Sequence, residues 1–273
     1  MGGEGSAVTV IALLTDFGTA DGYVGILHGV ILRINPAATV VDVCHEVPPQ
    51  NVRAAAFVLS TVYPYFAPDT IHVVVVDPGV GSERQSVAVR TARGVFVAPD
   101  NGVLSYVLAR EQILQMVQLT NDEYWLAPLS STFHGRDVFA PVAAHLSLGV
   151  PLGNLGRAVQ HVVRFALSVA HMAEDGTIHG EVLHVDRFGN LITNLTRELL
   201  PLGQQLRVQI AGREVSGPLA SYAQVREGEL LALFGSSGYL EIAARNGSAA
   251  AALQASPGTP ITAIASRRKD RMR

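Results

Sequence analysis

Two strand-length apolar runs constrain this chain more than any other feature. Val8–Leu14 and Ile71–Val76 are almost wholly aliphatic, and each stops at an acidic turn: Thr15-Asp16-Phe17-Gly18 after the first, Asp77-Pro78-Gly79 after the second. A run without polar alternation marks a strand buried on both faces, as in a parallel sheet covered by helices. The intervening sequence agrees. A helix is expected near Asp21–Ile34, ending before Pro36, a strand at Thr39–Val43 and a helix at Asn51–Tyr63. Ser86–Arg90 and Gly94–Ala98 read as a hairpin, with helices at Gly102–Arg110 and Arg136–Leu148. Such alternation predicts an α/β fold with a mainly parallel sheet flanked by helices.

The pattern changes near residue 160. Val159–Asp175 has no clear period and reads as a linker. Short, closely spaced strands follow at Ile178–Val185, Leu191–Leu195, Gln205–Ile210, Leu230–Phe234, Tyr239–Ala244 and Pro260–Ile264, separated by turn residues. They predict a small all-β barrel-like domain, with Gly247–Gly258 as a loop or short helix. The expected organisation is an N-terminal α/β domain over 8–160, a linker over 161–175, a β-barrel domain over 176–266 and a basic tail over 267–273.

Composition removes several classes. Of 273 residues, 16% are charged and 48% hydrophobic, against an ordinary charged share of about 25%, so the chain is not a disordered one. The net charge of −3 lacks the basic surplus of a nucleic-acid binder, and the basic tail reads as a solvated end. One cysteine, Cys44, excludes a disulfide framework and a thiolate zinc cluster. No apolar run reaches the ~18 residues of a membrane span. The first residues lack the basic region of a secretory signal and fit the loose M-G-x-x-x-S myristoylation pattern, read as a flexible leader. A cytoplasmic protein without membrane or nucleic-acid partners is expected.

Chemistry is expected past the strand ends, where open α/β sheets bind ligands. Asp16, Asp77 and Asp100 all follow predicted strands and are expected to face one crevice. Thr132-Phe133-His134-Gly135-Arg136-Asp137 offers an acid–base histidine beside a glycine that admits a ligand; Asp137 reads equally as a helix cap. Asp186-Arg187-Phe188-Gly189-Asn190 reads as converging ligand groups or as a plain turn, and Gly235-Ser236-Ser237-Gly238 as an anion nest or a tight hairpin. The chain has no G-x-x-x-x-G-K-[ST] and no H-E-x-x-H. Asp16-Phe17-Gly18 lacks the other kinase motifs. Cys44 and His45 are neighbours on a strand, so they point to opposite faces and make a poor nucleophile–base pair.

Taken in order, these motifs resemble a known family. Leu14-Thr15-Asp16-Phe17-Gly18 with Asp21-Gly22-Tyr23, Asp77-Pro78-Gly79-Val80-Gly81 with Arg84, Pro99-Asp100-Asn101-Gly102, Thr132–Asp137, Asp186–Asn190 and Gly235–Ala243 are similar to the S-adenosyl-L-methionine hydroxide adenosyltransferases, formerly a DUF62 family, which share a fold with fluorinating and chlorinating enzymes. The likeness runs from about residue 9 to about 265. It implies an enzyme that uses water or hydroxide to split S-adenosyl-L-methionine into adenosine and L-methionine. It also implies a homotrimer with sites between subunits, with the sulfonium compound as substrate and no cofactor or metal. By matching position, Asp77, Arg84 and His134 would hold the attacking water and Asp16 the ribose hydroxyls. Asp21 and Asp186 would meet the methionine ammonium, Asn190 the adenine, and Ser236 and Ser237 the methionine carboxylate, with Phe133, Tyr239 and Glu241 as further substrate-binding residues. Halogenating relatives carry Tyr, Thr and Ser at the positions of Asp77, Val80 and Gly135, and a carboxylate at Asp77 would repel a halide. Ser237 stands where some relatives have Arg. The alternatives are a halide-using adenosyltransferase, a non-catalytic adenosine or adenosylmethionine sensor, and a metal-dependent hydrolase using Asp16, Asp77, His134 and Asp186.

Overall fold

The computed structural model describes residues 9–199 and 205–266, and the chain divides into two compact units at Ala166 and Leu167. The leader and the basic tail lie outside the described residues.

The first unit begins with β1 (Val10–Thr15), α1 (Tyr23–Ile34), β2 (Thr39–Cys44), α2 (Val52–Val62) and β3 (Ile71–Val75). It continues through β4 (Ser86–Thr91), β5 (Gly94–Pro99), α3 (Ser105–Arg110), β6 (Ile113–Leu119), α4 (Ala140–Ser147) and β7 (Gly156–Ala158). The strand order is β2-β1-β3-β5-β4-β6-β7. The pairs β1–β2, β1–β3 and β3–β5 are parallel, and the pairs from β5 to β7 are antiparallel.

The apolar runs explain this sheet. Ile11, Leu13, Val73 and Val75 pack with Leu27, Ile31 and the α4 residues Val142 and Ala143, while Leu14, Val74 and Val76 pack with Leu59, Val107 and Leu108 from α2 and α3. Both faces are therefore buried, and each fully covered aliphatic side chain contributes roughly 1.5–3 kcal/mol. Asn51 caps α2 through its side chain, which accepts from Ala54 N at 2.9 Å.

Three sequence expectations shift. The helix expected from Gly102 starts at Ser105, because Asn101 bonds across the turn: its Nδ2 donates to Val76 O and its Oδ1 accepts from Val103 N. β6 was not expected, since Gln115 and Gln118 interrupt its apolar pattern. The helix expected at Arg136 opens instead as a π-helical turn over Gly135–Phe139, in which Ala140 N bonds to Gly135 O five residues back.

The strand pairs of the second unit are all antiparallel. It comprises β8 (His171–Met172), β9 (Ile178–Val185), β10 (Leu191–Thr196), β11 (Gln205–Ile210), β12 (Arg213–Gly217), β13 (Leu230–Phe234), β14 (Tyr239–Ala244), α5 (Ala249–Leu253) and β15 (Pro260–Ser266). The order β12-β11-β15-β9-β10-β14-β13 nearly closes on itself, because Leu219, just past β12, donates its N–H to Ala232 O of β13 at 2.8 Å. Alternate residues of β11, Leu206, Val208 and Ile210, fill the interior with Ile178, Leu191, Leu240 and Ile261, the period-2 burial of a barrel wall. β8 pairs with β9 inside the segment read as a linker. No helix among the described residues is long and apolar enough to cross a membrane.

Candidate active site

Parallel strands present their carboxyl ends along one edge, and the first unit builds a cavity there. It has a volume of about 260 Å³ and is lined by Asp16 and Phe17 after β1, Gln50 after β2, Asp77, Pro78 and Val80 after β3, and Thr132–Gly135 at the entrance to the π turn.

The loop after β3 is a pair of tight turns that brings the chain back on itself. Val80 N bonds to Asp77 O and Ser82 N to Gly79 O, while Ser82 Oγ accepts from Arg84 N. Gly81 has φ +78°, and a Cβ there would stand 2.2 Å from Ser131 O, so the turn presses against the loop that carries His134.

The turn returns Arg84 to Asp77. Arg84 Nε reaches both Asp77 oxygens at 2.9 Å and Nη2 bonds Asp77 Oδ2, a forked charge-assisted contact with both side chains over nine-tenths buried. Arg84 Nη1 donates to Ser86 Oγ at 2.7 Å, and Nη2 donates to His134 Nδ1 at 2.8 Å. A guanidinium has donors only. His134 Nδ1 must therefore hold a lone pair, and a neutral ring carries its proton on Nε2. Burial first, and the charge of Arg84 second, pull His134 below its ordinary value.

A fully buried carboxylate holds the His134 loop. Asp137 Oδ2 accepts from Ser130 N at 2.8 Å, and Arg136 Nε donates to Asp137 Oδ1 at 2.6 Å. Phe133 packs edge-on against Phe17 and Tyr23, with centroids at 5.7 and 5.3 Å. Gly135 sits under this aromatic group: a Cβ would stand 3.2 Å from Phe133 and 3.3 Å from Phe17. Gly135→Ser, the residue of the halogenating pattern, is expected to displace the rings and raise KM about 3- to 10-fold, the scale of a modest overpacking cost near 1 kcal/mol. Unchanged kinetics would show that the rings yield freely.

Asp77, Arg84, His134, Asp16 and Phe133 thus come together. Asp100 does not join them. It lies on the same sheet edge, but its Oδ1 accepts from Val163 N at 2.7 Å and is not part of the cavity lining, so the expectation of three carboxylates in one crevice is corrected to two. Asp21 is exposed at the start of α1. Gln50, a left-handed residue with φ 63° whose N–H bonds Asp16 Oδ2 at 2.7 Å, went unnoticed in the sequence; Pro48-Pro49 before it was the available signal.

The second unit has its own cavity of about 550 Å³, lined by Phe188, Asn190, Tyr222, Ala244, Asn246 and Gly247. Asp186 organises its rim: Oδ1 accepts from Phe188 N and Asn190 N, and Oδ2 accepts from Asn190 Nδ2 at 2.9 Å. The Asp-to-Asn motif is therefore an Asx turn that presents Asn190 and Phe188 to the cavity. Tyr222 Oη lies 3.2 Å from Glu241 Oε2. Burial pushes the Glu241 carboxyl up, and burial with Glu241 pushes Tyr222 up to about 12. Glu241 and Tyr239 are buried, and Glu241 occupies the space a Cβ on Gly235 would need. Ser236 and Ser237 are exposed at the β13–β14 hairpin turn, where Gly235 N bonds to Tyr239 O and Gly238 N to Gly235 O. Tyr222, Asn246 and Gly247 belong to no sequence motif and emerge only from the closed sheet. No cluster of three or more metal-ligating side chains occurs among the described residues.

Known proteins share both units. The N-terminal domain of SAM hydroxide adenosyltransferases matches residues 11–156, and the C-terminal domain matches residues 180–262. An (R)-S-adenosyl-L-methionine hydrolase from Salinispora tropica is 41% identical over 259 residues, 93% of this chain and 97% of that one. A fluorinase from an Actinoplanes species is more distant, 30% identical over 74% of this chain and 77% of its own length. The crystal structure of an uncharacterised conserved protein from Thermotoga maritima superposes with a TM-score of 0.87 at 38% identity, covering 93% of this chain and 99% of that one. With both domains matched in order and near full-length relatives at this identity, the chain belongs to the SAM hydroxide adenosyltransferase family.

Proposed function

We infer that this protein is an S-adenosyl-L-methionine hydrolase: water attacks ribose C5′, and adenosine and L-methionine leave. The observation that carries the reading is the Asp77–Arg84–His134 constellation, whose Asp77 and His134 line one cavity together with Asp16. The Salinispora relative is an (R)-S-adenosyl-L-methionine hydrolase by name, and we propose the same epimer preference here.

The residues suit the reaction. The sulfonium departs as a neutral thioether, so sulfur needs no general acid. The oxygen–carbon bond forms as the carbon–sulfur bond breaks, its electron pair passes to sulfur, and the water loses a proton. The protein must hold that water in line at about 3–3.5 Å from C5′ and take the proton. His134, whose ring lines the cavity, orients the water. Asp77 is the remaining basic group and receives the proton. Arg84 fixes both and offsets the charge that develops on oxygen.

The rest of the substrate is assigned by the same logic. Asp16 offers two acceptors to the ribose diol. Asn190, Phe188 and Tyr222 offer a polar edge and two aromatic faces to adenine. Asp186 and Asp21 are assigned to the ammonium, and Ser236 and Ser237 to the carboxylate. Phe133 closes on the sugar, while Glu241 and Tyr239 support the walls from behind. No metal or cofactor is proposed, because the sulfonium is already an activated leaving group. A homotrimer with sites shared between subunits and a cytoplasmic location complete the proposal, and the trimer rests on the family resemblance.

Incubation with each sulfonium epimer in chloride-free buffer containing EDTA tests the reading. Adenosine and methionine are expected in equal amounts, faster from the (R) epimer. A product formed only with added chloride, or activity abolished by EDTA, would replace it with the halide or metal reading.

The neutral His134 ring accepts from Arg84, and its folded value lies below the ordinary 6.5. Protonation therefore weakens the site, and costs stability, only as pH falls below 6.5 toward that lower value. The acid limb attributable to His134 in a kcat–pH profile is expected below 6.5. In His134→Asn that limb should vanish; a histidine limb at or above 6.5 would contradict the assigned tautomer.

A further inference from the structure

Outside the two cavities, one polar cluster is buried without a role in the reaction as derived. Thr15, at the end of β1, is fully buried, and its Oγ1 lies 2.9 Å from His45 Nδ1. His45 is itself 94% buried, for its exposure is 6%. Its Nε2 lies 2.9 Å from Asp42 Oδ1, within ion-pair range though off the line of a well-directed hydrogen bond. The same Asp42 oxygen meets His28 Nε2 at 2.7 Å. The Asp42 carboxylate can only accept, so a His45 proton lies on Nε2, facing it. Thr15 Oγ1, which also accepts the N–H of Phe17 at 3.2 Å, then donates to Nδ1.

This relay lies behind the loop that carries Asp16. Gly18 N bonds to His45 O at 2.7 Å, Thr19 Oγ1 donates to Glu46 Oε1 at 3.2 Å, and Gln50 N bonds Asp16 Oδ2 at 2.7 Å. The β2 exit therefore grips the β1 exit at four places, on both sides of Asp16. Gln50 adopts the left-handed backbone that makes its bond to Asp16, a conformation uncommon for a residue with a side chain. Gln50 takes one lone pair of Oδ2, which leaves Oδ1 and the other lone pair of Oδ2 for the two hydroxyls of a diol.

We propose that His45 and Thr15 are positioning residues for the reaction: the Asp42–His45–Thr15 relay fixes the β1 exit so that Asp16 meets the ribose diol. The proposal rests on the reading that Asp16 holds those hydroxyls. Neither residue touches substrate. Their effect passes through the angle of one carboxylate, so it is felt in recognition of the 2′ and 3′ hydroxyls before it is felt in chemistry at C5′.

The readout is the ratio of Kd values for 2′,3′-dideoxyadenosine and adenosine, measured by calorimetry on the whole protein. A carboxylate on a diol gives an expected wild-type ratio of at least ~10, corresponding to about 1.4 kcal/mol. Thr15→Val and His45→Leu are expected to narrow the ratio to ~3 or less through weaker adenosine binding, and to raise KM by more than they lower kcat. Thr15→Ser, which restores the hydroxyl, is expected to restore the ratio. Asp42→Asn, a change at a half-exposed position, narrows it part of the way and serves where a core variant fails to fold. A general packing defect would lower Tm and leave the ratio alone. If Asp16→Asn collapses the ratio but folded Thr15→Val or Asp42→Asn keeps the wild-type value, the relay has no positioning role. If Asp16→Asn also keeps it, the ribose assignment itself fails, and the proposal with it.

Discussion

Asp77→Asn is expected to lower kcat by at least about 100-fold, the lower bound for losing a positioned acid–base group. The substitution is nearly isosteric, so the cavity keeps its shape and adenosine still binds within a few-fold of wild type. What disappears is the negative charge that accepts the water proton. Arg84 is also left as a buried cation without its counter-charge, with the neutral Asn carbonyl, His134 and Ser86 as its acceptors. Breaking a buried pair from one side costs about 3–5 kcal/mol, so a fall in Tm should accompany the loss of rate. Adenosine affinity separates the two effects. Lost affinity together with lost rate would mean that Asp77 shapes the site rather than driving the reaction. Normal turnover would remove it from the mechanism.

Asp137→Ala is expected to act first through stability. Its carboxylate is fully buried and satisfies Ser130 N, Arg136 Nε and Arg136 Nη2. Arg136 is one-third exposed and can turn to water, which discounts its share. The Ser130 N–H cannot. The expected loss is about 2–3 kcal/mol, or roughly 5–10 °C in Tm for a unit of this size. Ser130–Phe133 is the approach to His134, so activity should fall below wild type even at temperatures where the variant is folded. Asp137→Asn keeps an acceptor for Ser130 and is expected to lose less of both. Calorimetric melting with parallel assays checks this; equal Tm for Ala and wild type would show that the loop is held by its packing alone.

Much of this was legible in the sequence, for a physical reason. β1 and β3 are buried on both faces, so their burial is written as unbroken apolar runs that stop where the site begins. The Asp77–Arg84 pair was legible only through the family resemblance, which matched both positions to one trio with His134. β6 was not, because it sits between β4 and β7 with Gln115 and Gln118 interrupting its apolar pattern. Asp100 misled because strand ends set which edge a residue occupies, while the Val163 backbone, over sixty residues away, decided where its carboxylate turned. Tyr222 and Asn246 reach their cavity through long-range closure, and no local spacing announces that. Asp186 served both readings offered for it at sequence level, since it forms the turn and thereby presents Asn190.

The most direct test of the central claim is a turnover in H₂¹⁸O, with the products resolved by mass spectrometry. Attack of water at C5′ places one ¹⁸O in the 5′-hydroxyl of adenosine and none in methionine. Unlabelled adenosine, or label carried by the amino-acid fragment, would contradict the account, because the oxygen would then have come from another source or attacked another carbon.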